Sequence, residues 1–182
     1  MLMKFSSNRV PFRWRILAFL VPILMLSSCK DDGMIWDMYP VNVNIYIQDT
    51  DGANLLSPSV TGSLYGKKIV VKYQGEEYEL DWDANETRHY MPSFSGLSLK
   101  TDYTQSGDHY EKDVNKNYLS FGEFDGEDNQ DISISLNIEG YPEPWEISVS
   151  HRIKWKRNKP QVTNTATLNG KEVSYDNILI SL

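Results

Sequence analysis

Trp145-Glu146-Ile147-Ser148-Val149-Ser150-His151-Arg152-Ile153-Lys154-Trp155 is the stretch that decides the fold. Trp145, Ile147, Val149, His151, Ile153 and Trp155 alternate with Glu146, Ser148, Ser150, Arg152 and Lys154. Successive side chains of a strand point to opposite faces, so a period of two predicts a strand with one face in a core and one in water. On that parity Trp145 and Trp155 are both expected inside. The same alternation runs through 41–47, with Val41, Val43, Ile45 and Ile47 against Asn42, Asn44 and Tyr46. It returns through 131–138, with Ile132, Ile134, Leu136 and Ile138 against Asp131, Ser133, Ser135 and Asn137.

Turn signals separate such runs. Asn169-Gly170 and Gln74-Gly75 suit two-residue hairpin turns, whose central positions both need positive φ. Asp51-Gly52 ends the first run, and Tyr141-Pro142-Glu143-Pro144 makes a stiffer connection between the two strongest ones. Ile178–Leu182 reads as a last strand. After residue 35 no window carries a helical period, and the polar, irregular segment Asp102–Lys116 is expected to be a loop or one short helix. About seven to nine strands of this kind close as an all-β, antiparallel β-sandwich, immunoglobulin-like or transthyretin-like. The first strand with Asp49-Thr50-Asp51-Gly52-Ala53-Asn54-Leu55-Leu56 loosely resembles the opening of transthyretin-like and carboxypeptidase-regulatory-like sandwiches.

The N-terminal segment has another character. Lys4, Arg9, Arg13 and Arg15 precede an eleven-residue apolar run, Ile16–Leu26, broken only by Pro22. A membrane-spanning helix needs about 20 apolar residues, whereas a run this short suits the hydrophobic region of a signal peptide. Leu26-Ser27-Ser28 then leads into Cys29, the one cysteine of the chain. This resembles the bacterial lipoprotein lipobox. The resemblance implies cleavage before Cys29, a diacylglyceryl group on its sulfur and an acyl chain such as palmitate on the new N-terminus. One chain holds marginally and several hold firmly, at about 0.8 kcal/mol per buried CH₂. Lys30-Asp31-Asp32 follows at once and is similar to the surface-export signal of Bacteroidota lipoproteins. A plain acidic linker is the alternative for those three residues. The expected organisation is a signal peptide over 1–28, an acidic tether over 29–35 and one sandwich domain over 36–182.

Cleavage removes four basic residues and no acidic one, leaving 14 Lys and Arg against 25 Asp and Glu, a formal charge of −11. Nucleic acid is an unsuitable partner, since its binding rests on neutralising phosphates. Charge alone does not hold such a body to an anionic membrane, so the lipid on Cys29 is the expected attachment. With Cys29 acylated no thiol remains, which excludes disulfides, cysteine catalysis and cysteine-based zinc sites.

No cofactor and no metal site are expected. Asp49–Asn54 and Asp125–Asp131 carry enough oxygens to suggest calcium, but Asp and Gly are also what tight turns demand, and neither matches an EF-hand. His89, His109 and His151 have no ligand spacing; His151 reads as a neutral core or rim histidine with one hydrogen bond. No nucleophile elbow, Cys–His pair or phosphate loop is present, and the chain is read as no enzyme. Arg152, Lys154 and Lys156 share one strand face and form a candidate anion-binding stripe; pairing with acids on a neighbouring strand is the alternative. Trp36, Trp82, Trp145 and Trp155 could stack on sugars if exposed, but core packing is expected for at least three of them. The expectation is a lipid-anchored outer-membrane protein displayed at the cell surface, with the periplasmic face as alternative. It binds or scaffolds a glycan or a partner protein. The other reading is a structural or adhesive subunit, such as a fimbria-associated protein, that offers Ile178–Leu182 for strand addition.

Overall fold

The computed structural model describes residues 38–83, 94, 96–106, 109–157 and 159–182. The signal segment, Cys29 with Lys30, Asp31 and Asp32, the tether and Trp36 lie outside these, as does His89. The body runs from Met38 to Leu182. Its described part is strands and turns: β1 (Val41–Gln48), β2 (Ile69–Tyr73), β3 (Glu76–Glu79), β4 (Leu97–Ser106), β5 (His109–Phe124), β6 (Gln130–Ile138), β7 (Trp145–Lys156), β8 (Lys159–Leu168), β9 (Lys171–Val173) and β10 (Ile178–Ser181).

Two sheets pack as a sandwich. One has the order β10-β1-β5-β4, the other β3-β2-β6-β7-β8-β9. Val43, Ile45, Leu119, Phe121 and Ile178 on the first sheet share one buried cluster with Ile69, Val71, Ile134, Leu136 and Ile147 on the second. Each aliphatic or aromatic side chain taken out of water there contributes about 1.5–3 kcal/mol. Leu55, Leu56 and Leu64, from the connection between β1 and β2, belong to the same cluster. The turns follow the sequence: Asn169 and Gly170 have φ of 50° and 76°, Gln74 and Gly75 have 50° and 88°.

Every described strand pairing is antiparallel except one. β10 runs parallel to β1, with Ile45 opposite Ile178 and Ile47 opposite Ile180. The six-plus-four arrangement also differs from the four-plus-three strands of a constant immunoglobulin domain.

The sheets end before their longest strands do. β6 pairs with β7 only as far as Gln130 opposite His151, yet β7 and β8 stay paired to Lys156 opposite Lys159. Beyond His151 the two strands therefore continue as a two-stranded arm. Likewise β1 pairs with β5 only to Ile45 opposite Leu119, while β4 and β5 stay paired to Ser106 opposite His109. Asp102–Lys116, expected to be a loop or short helix, is thus mostly this second arm. Its pattern was hidden because a ribbon wet on both faces has no reason to alternate. The connection 125–129 joins the end of β5 to the start of β6, so the two arms leave opposite ends of the sandwich.

A buried polar residue on the inward parity closes the core at the root of each arm. Asn117 donates to Leu56 O at 3.0 Å and accepts from Thr101 Oγ1 at 2.8 Å. His151 does the same work at the other end. Each satisfies its polar atoms where the apolar layer stops.

Candidate functional site

At the root of the β7–β8 arm, the His151 ring is almost fully buried. Its Nε2 lies 3.1 Å from Gly126 O and its Nδ1 2.6 Å from the Asn164 side-chain amide. A carbonyl only accepts, so Nε2 carries a proton. In a neutral ring Nδ1 then accepts from the nitrogen of the Asn164 side-chain amide. The ring makes two hydrogen bonds where one was expected, and ties the 125–129 connection to β8. Gly126 packs directly against the backbone of Tyr39: a Cβ there would meet Tyr39 O at 2.1 Å. The chain thus enters the body at this arm's root.

Arg152, Lys154 and Lys156 stand on one face of β7. Arg152 is turned to its own sheet. Its Nη2 donates to both oxygens of Asp131, at 2.7 and 2.8 Å, and its Nη1 to Gln130 O and His151 O. This is the cross-strand pairing weighed as the alternative, and it leaves Lys154 and Lys156 as the outward part of the stripe. The guanidinium, with the Ser150 hydroxyl, holds the Asp131 carboxyl below the usual carboxylate range. Asn129 Oδ1 accepts from Ile153 N at 2.6 Å and fastens the same connection to the arm.

Beyond the root the arm has two unlike faces. Directly opposite residues share a face, so Lys154 and Gln161 stand with Lys156 and Lys159 on one side. On the other side Ile153 faces Val162 and Trp155 faces Pro160. Trp155 is 59% exposed and Val162 47%. The expectation that Trp155 lies in the core is therefore corrected. Its parity is inward, but no second sheet stands opposite it. No acidic residue occurs between Glu146 and Glu172. Among the described residues, Lys154, Lys156, Arg157 and Lys159 make no ion pair.

The other tryptophans in the described body are half-buried against the core. Trp82 donates from Nε1 to Lys67 O at 2.8 Å, and Trp145 packs near Tyr141. Five further rings, Tyr73, Tyr78, Phe94, Phe121 and Phe124, cluster together, Tyr73 stacked on Phe94 and the other pairs edge to face or tilted.

A second surface lies on the outer face of the four-stranded sheet. Tyr46 of β1 and Tyr118 of β5 stack with centroids 5.2 Å apart and planes 24° apart. Leu179, opposite Tyr46 in the register, is 39% exposed beside them. Burial, and then the charge of Asp102, push the Tyr46 hydroxyl above its ordinary value. Ser120 Oγ and Asn44 Oδ1, 3.0 Å apart, border the rings. Tyr46 sits on the outward parity of an otherwise amide-bearing strand face, which was the available signal; Tyr118 joins it only through the β1–β5 register.

The acidic turns are used by the backbone. Asp49 Oδ1 accepts from Asp51 N and Ala53 N, and Asn54 bridges to Asn115 O, Asn117 O and Leu56 N. Asp125 Oδ1 accepts from Glu127 N. Among the described residues no three His, Cys, Asp or Glu stand where they could hold a metal ion, and no helix is long and apolar enough to cross a membrane. The His109 side chain lies outside the description. Compared with protein families, curated proteins and solved structures, the chain matches none.

Proposed function

We propose that the chain is a Bacteroidota-type surface lipoprotein, held at the outer membrane by lipid on Cys29, and that its sandwich is a binding or scaffolding module and no enzyme. Of the partners the sequence suggests, a protein fits the surface better than a glycan. The observation that carries this is the stripe Tyr118–Tyr46–Leu179 on the outer face of the four-stranded sheet. Tyrosine presents a large apolar body with a polar tip and is enriched where proteins meet. The two rings stack on each other and do not lie side by side as one platform for a sugar.

The experiment is capture from outer-membrane extract on the immobilised protein, compared with Tyr46→Ala and Leu179→Ala, with a glycan array in parallel. A captured protein that both variants lose supports the reading. An array signal that both variants lose moves the partner to a glycan. Capture indifferent to both variants removes the stripe from the account. Anchoring is tested separately. Cys29→Ser should release the protein from the membrane fraction, or leave it unprocessed, with loss of lipid label. Alanines at Lys30-Asp31-Asp32 should leave the label and reduce protease access from outside the cell.

One observation favours the adhesive-subunit reading. β10 is a four-residue edge strand, with no neighbour on its outer side among the described residues. In that reading the free edge of β10 receives a strand from another chain, and substituting proline at Leu179 should abolish assembly while the monomer stays folded.

A further inference from the structure

We infer that the β7–β8 arm is a second membrane contact, an amphipathic hairpin that beds on an anionic lipid surface. The inference rests on the anchoring reading for what brings a membrane next to the arm; the arm's own chemistry is read independently.

Three observations converge on the arm. Its charge is one-signed and uncompensated. Arg152 is neutralised by Asp131, but Lys154, Lys156, Arg157 and Lys159 are not paired among the described residues. Lys156 stands directly opposite Lys159, a like-charge arrangement that destabilises a hairpin unless a counter-charge is supplied. No acidic residue stands on the arm itself, so the missing counter-charge is placed outside the chain.

The opposite face is apolar where it has nothing to cover. Trp155, Val162, Ile153 and Pro160 continue the inner parity of the sheet past the end of the sandwich. An apolar face with a tryptophan, backed by lysines on the opposite face, is the combination that settles at a membrane–water boundary. There the ring enters the headgroup region while the ammonium groups stay at phosphate level. The arm extends roughly 15 Å past the last β6 pairing, at about 3.3 Å per residue. At the tip that distance exceeds the screening length near physiological salt, about 8 Å, so the acidic connection at the root does not cancel the attraction of Lys156, Arg157 and Lys159.

Connectivity leaves the arm within reach of the bilayer that holds the anchor. Tyr39, 92% exposed, lies against Gly126, whose carbonyl is bound by His151 at the arm's root. Only the eight residues 30–37 separate Cys29 from the described body, and they reach at most roughly 30 Å. A chain held by lipid at Cys29 can therefore bring this end of the sandwich to the bilayer.

The test uses the chain from residue 29 with Cys29→Ser, so that no acyl chain contributes and failure here is separate from failure of lipidation. Co-sedimentation is measured with phosphatidylcholine vesicles and with vesicles of phosphatidylcholine and phosphatidylglycerol. Binding is expected only with phosphatidylglycerol, falling with salt. Lys154→Ala with Lys156→Ala should weaken it about thirtyfold, at the contribution of a surface-adjacent lysine. Trp155→Ala should weaken it about tenfold, and the vesicle-induced blue shift of tryptophan emission should vanish in Trp155→Phe. All three side chains are exposed, so none of these substitutions should lower the thermal midpoint. Absence of binding, equal binding to neutral vesicles or indifference to these substitutions overturns the inference. So does full competition by a soluble polyanion with no dependence on Trp155, which makes the arm a site for acidic glycans instead.

Discussion

His151 and Asp131 are the two side chains that hold the root of the β7–β8 arm, and they act differently. Replacing His151 by Ala leaves Gly126 O without its donor, strands the Asn164 amide and opens a void. The expected loss is about 3 kcal/mol, from an unsatisfied buried acceptor plus a cavity. A urea titration reads it as a lower midpoint with an unchanged slope. Asp131 is exposed, so its pairing with Arg152 is a modest, screened interaction. Its sign is nonetheless fixed. The carboxyl titrates lower in the folded chain than in the unfolded one. Between the two values the unfolded state binds more protons, and stability rises with pH. The contribution is complete above the ordinary carboxylate value of about 4 and fades as pH falls through the depressed one. Asp131→Asn should therefore flatten the midpoint-against-pH curve on the acid side and leave its slope at neutral pH alone. An unchanged acid limb would mean that Arg152 does not hold the carboxylate in solution.

The two arms explain where strands were legible and where they were not. Val41–Gln48 and Gln130–Ile138 alternate buried and more open residues because one face meets the other sheet throughout. Their bounds could be read within a residue. Asp102–Ser106 and His109–Lys116 are strand too, but past Asn117 both faces are wet and hydropathy carries no period. Trp155 failed in the opposite sense: the alternation persists, while the sheet it would pack on has ended. A periodic pattern reports which way a side chain points and says nothing of whether a partner stands opposite. The candidate surfaces divide the same way. The lysine stripe was legible because it is local; the Tyr46–Tyr118 stack was not, because it needs a register between strands distant in sequence. Two-stranded ribbons are marginal in water. Amide exchange should therefore be fast in Ile153–Val162 and in Tyr103–Lys112, and slow in Ile132–Leu136 and Val43–Ile45. Equal protection in arms and sheets would show that the arms pack against something in solution.

At the scale of the whole molecule, the parallel pairing of β1 with β10 joins the first strand of the body to the last. The pair forms only after every intervening strand is made, because β10 is synthesised last. Ile178 and Ile180 are both fully buried beside Ile45 and Ile47. Leu182 N also donates to Gln48 O at 2.9 Å. A chain stopped after Asn177 loses two core side chains and exposes the edge of β1, whose inner face is wholly aliphatic. Truncating one such side chain to Ala costs about 2–5 kcal/mol, and a domain of this size has only about 5–15 in all. The truncated chain should therefore lose near-ultraviolet circular dichroism, keep much of its far-ultraviolet signal and bind a hydrophobic dye. Adding the peptide Ile178–Leu182 in trans should regain little, because a five-residue strand pays its full ordering entropy alone. Full native signal in the truncated chain without any peptide would show that β10 does not close the core.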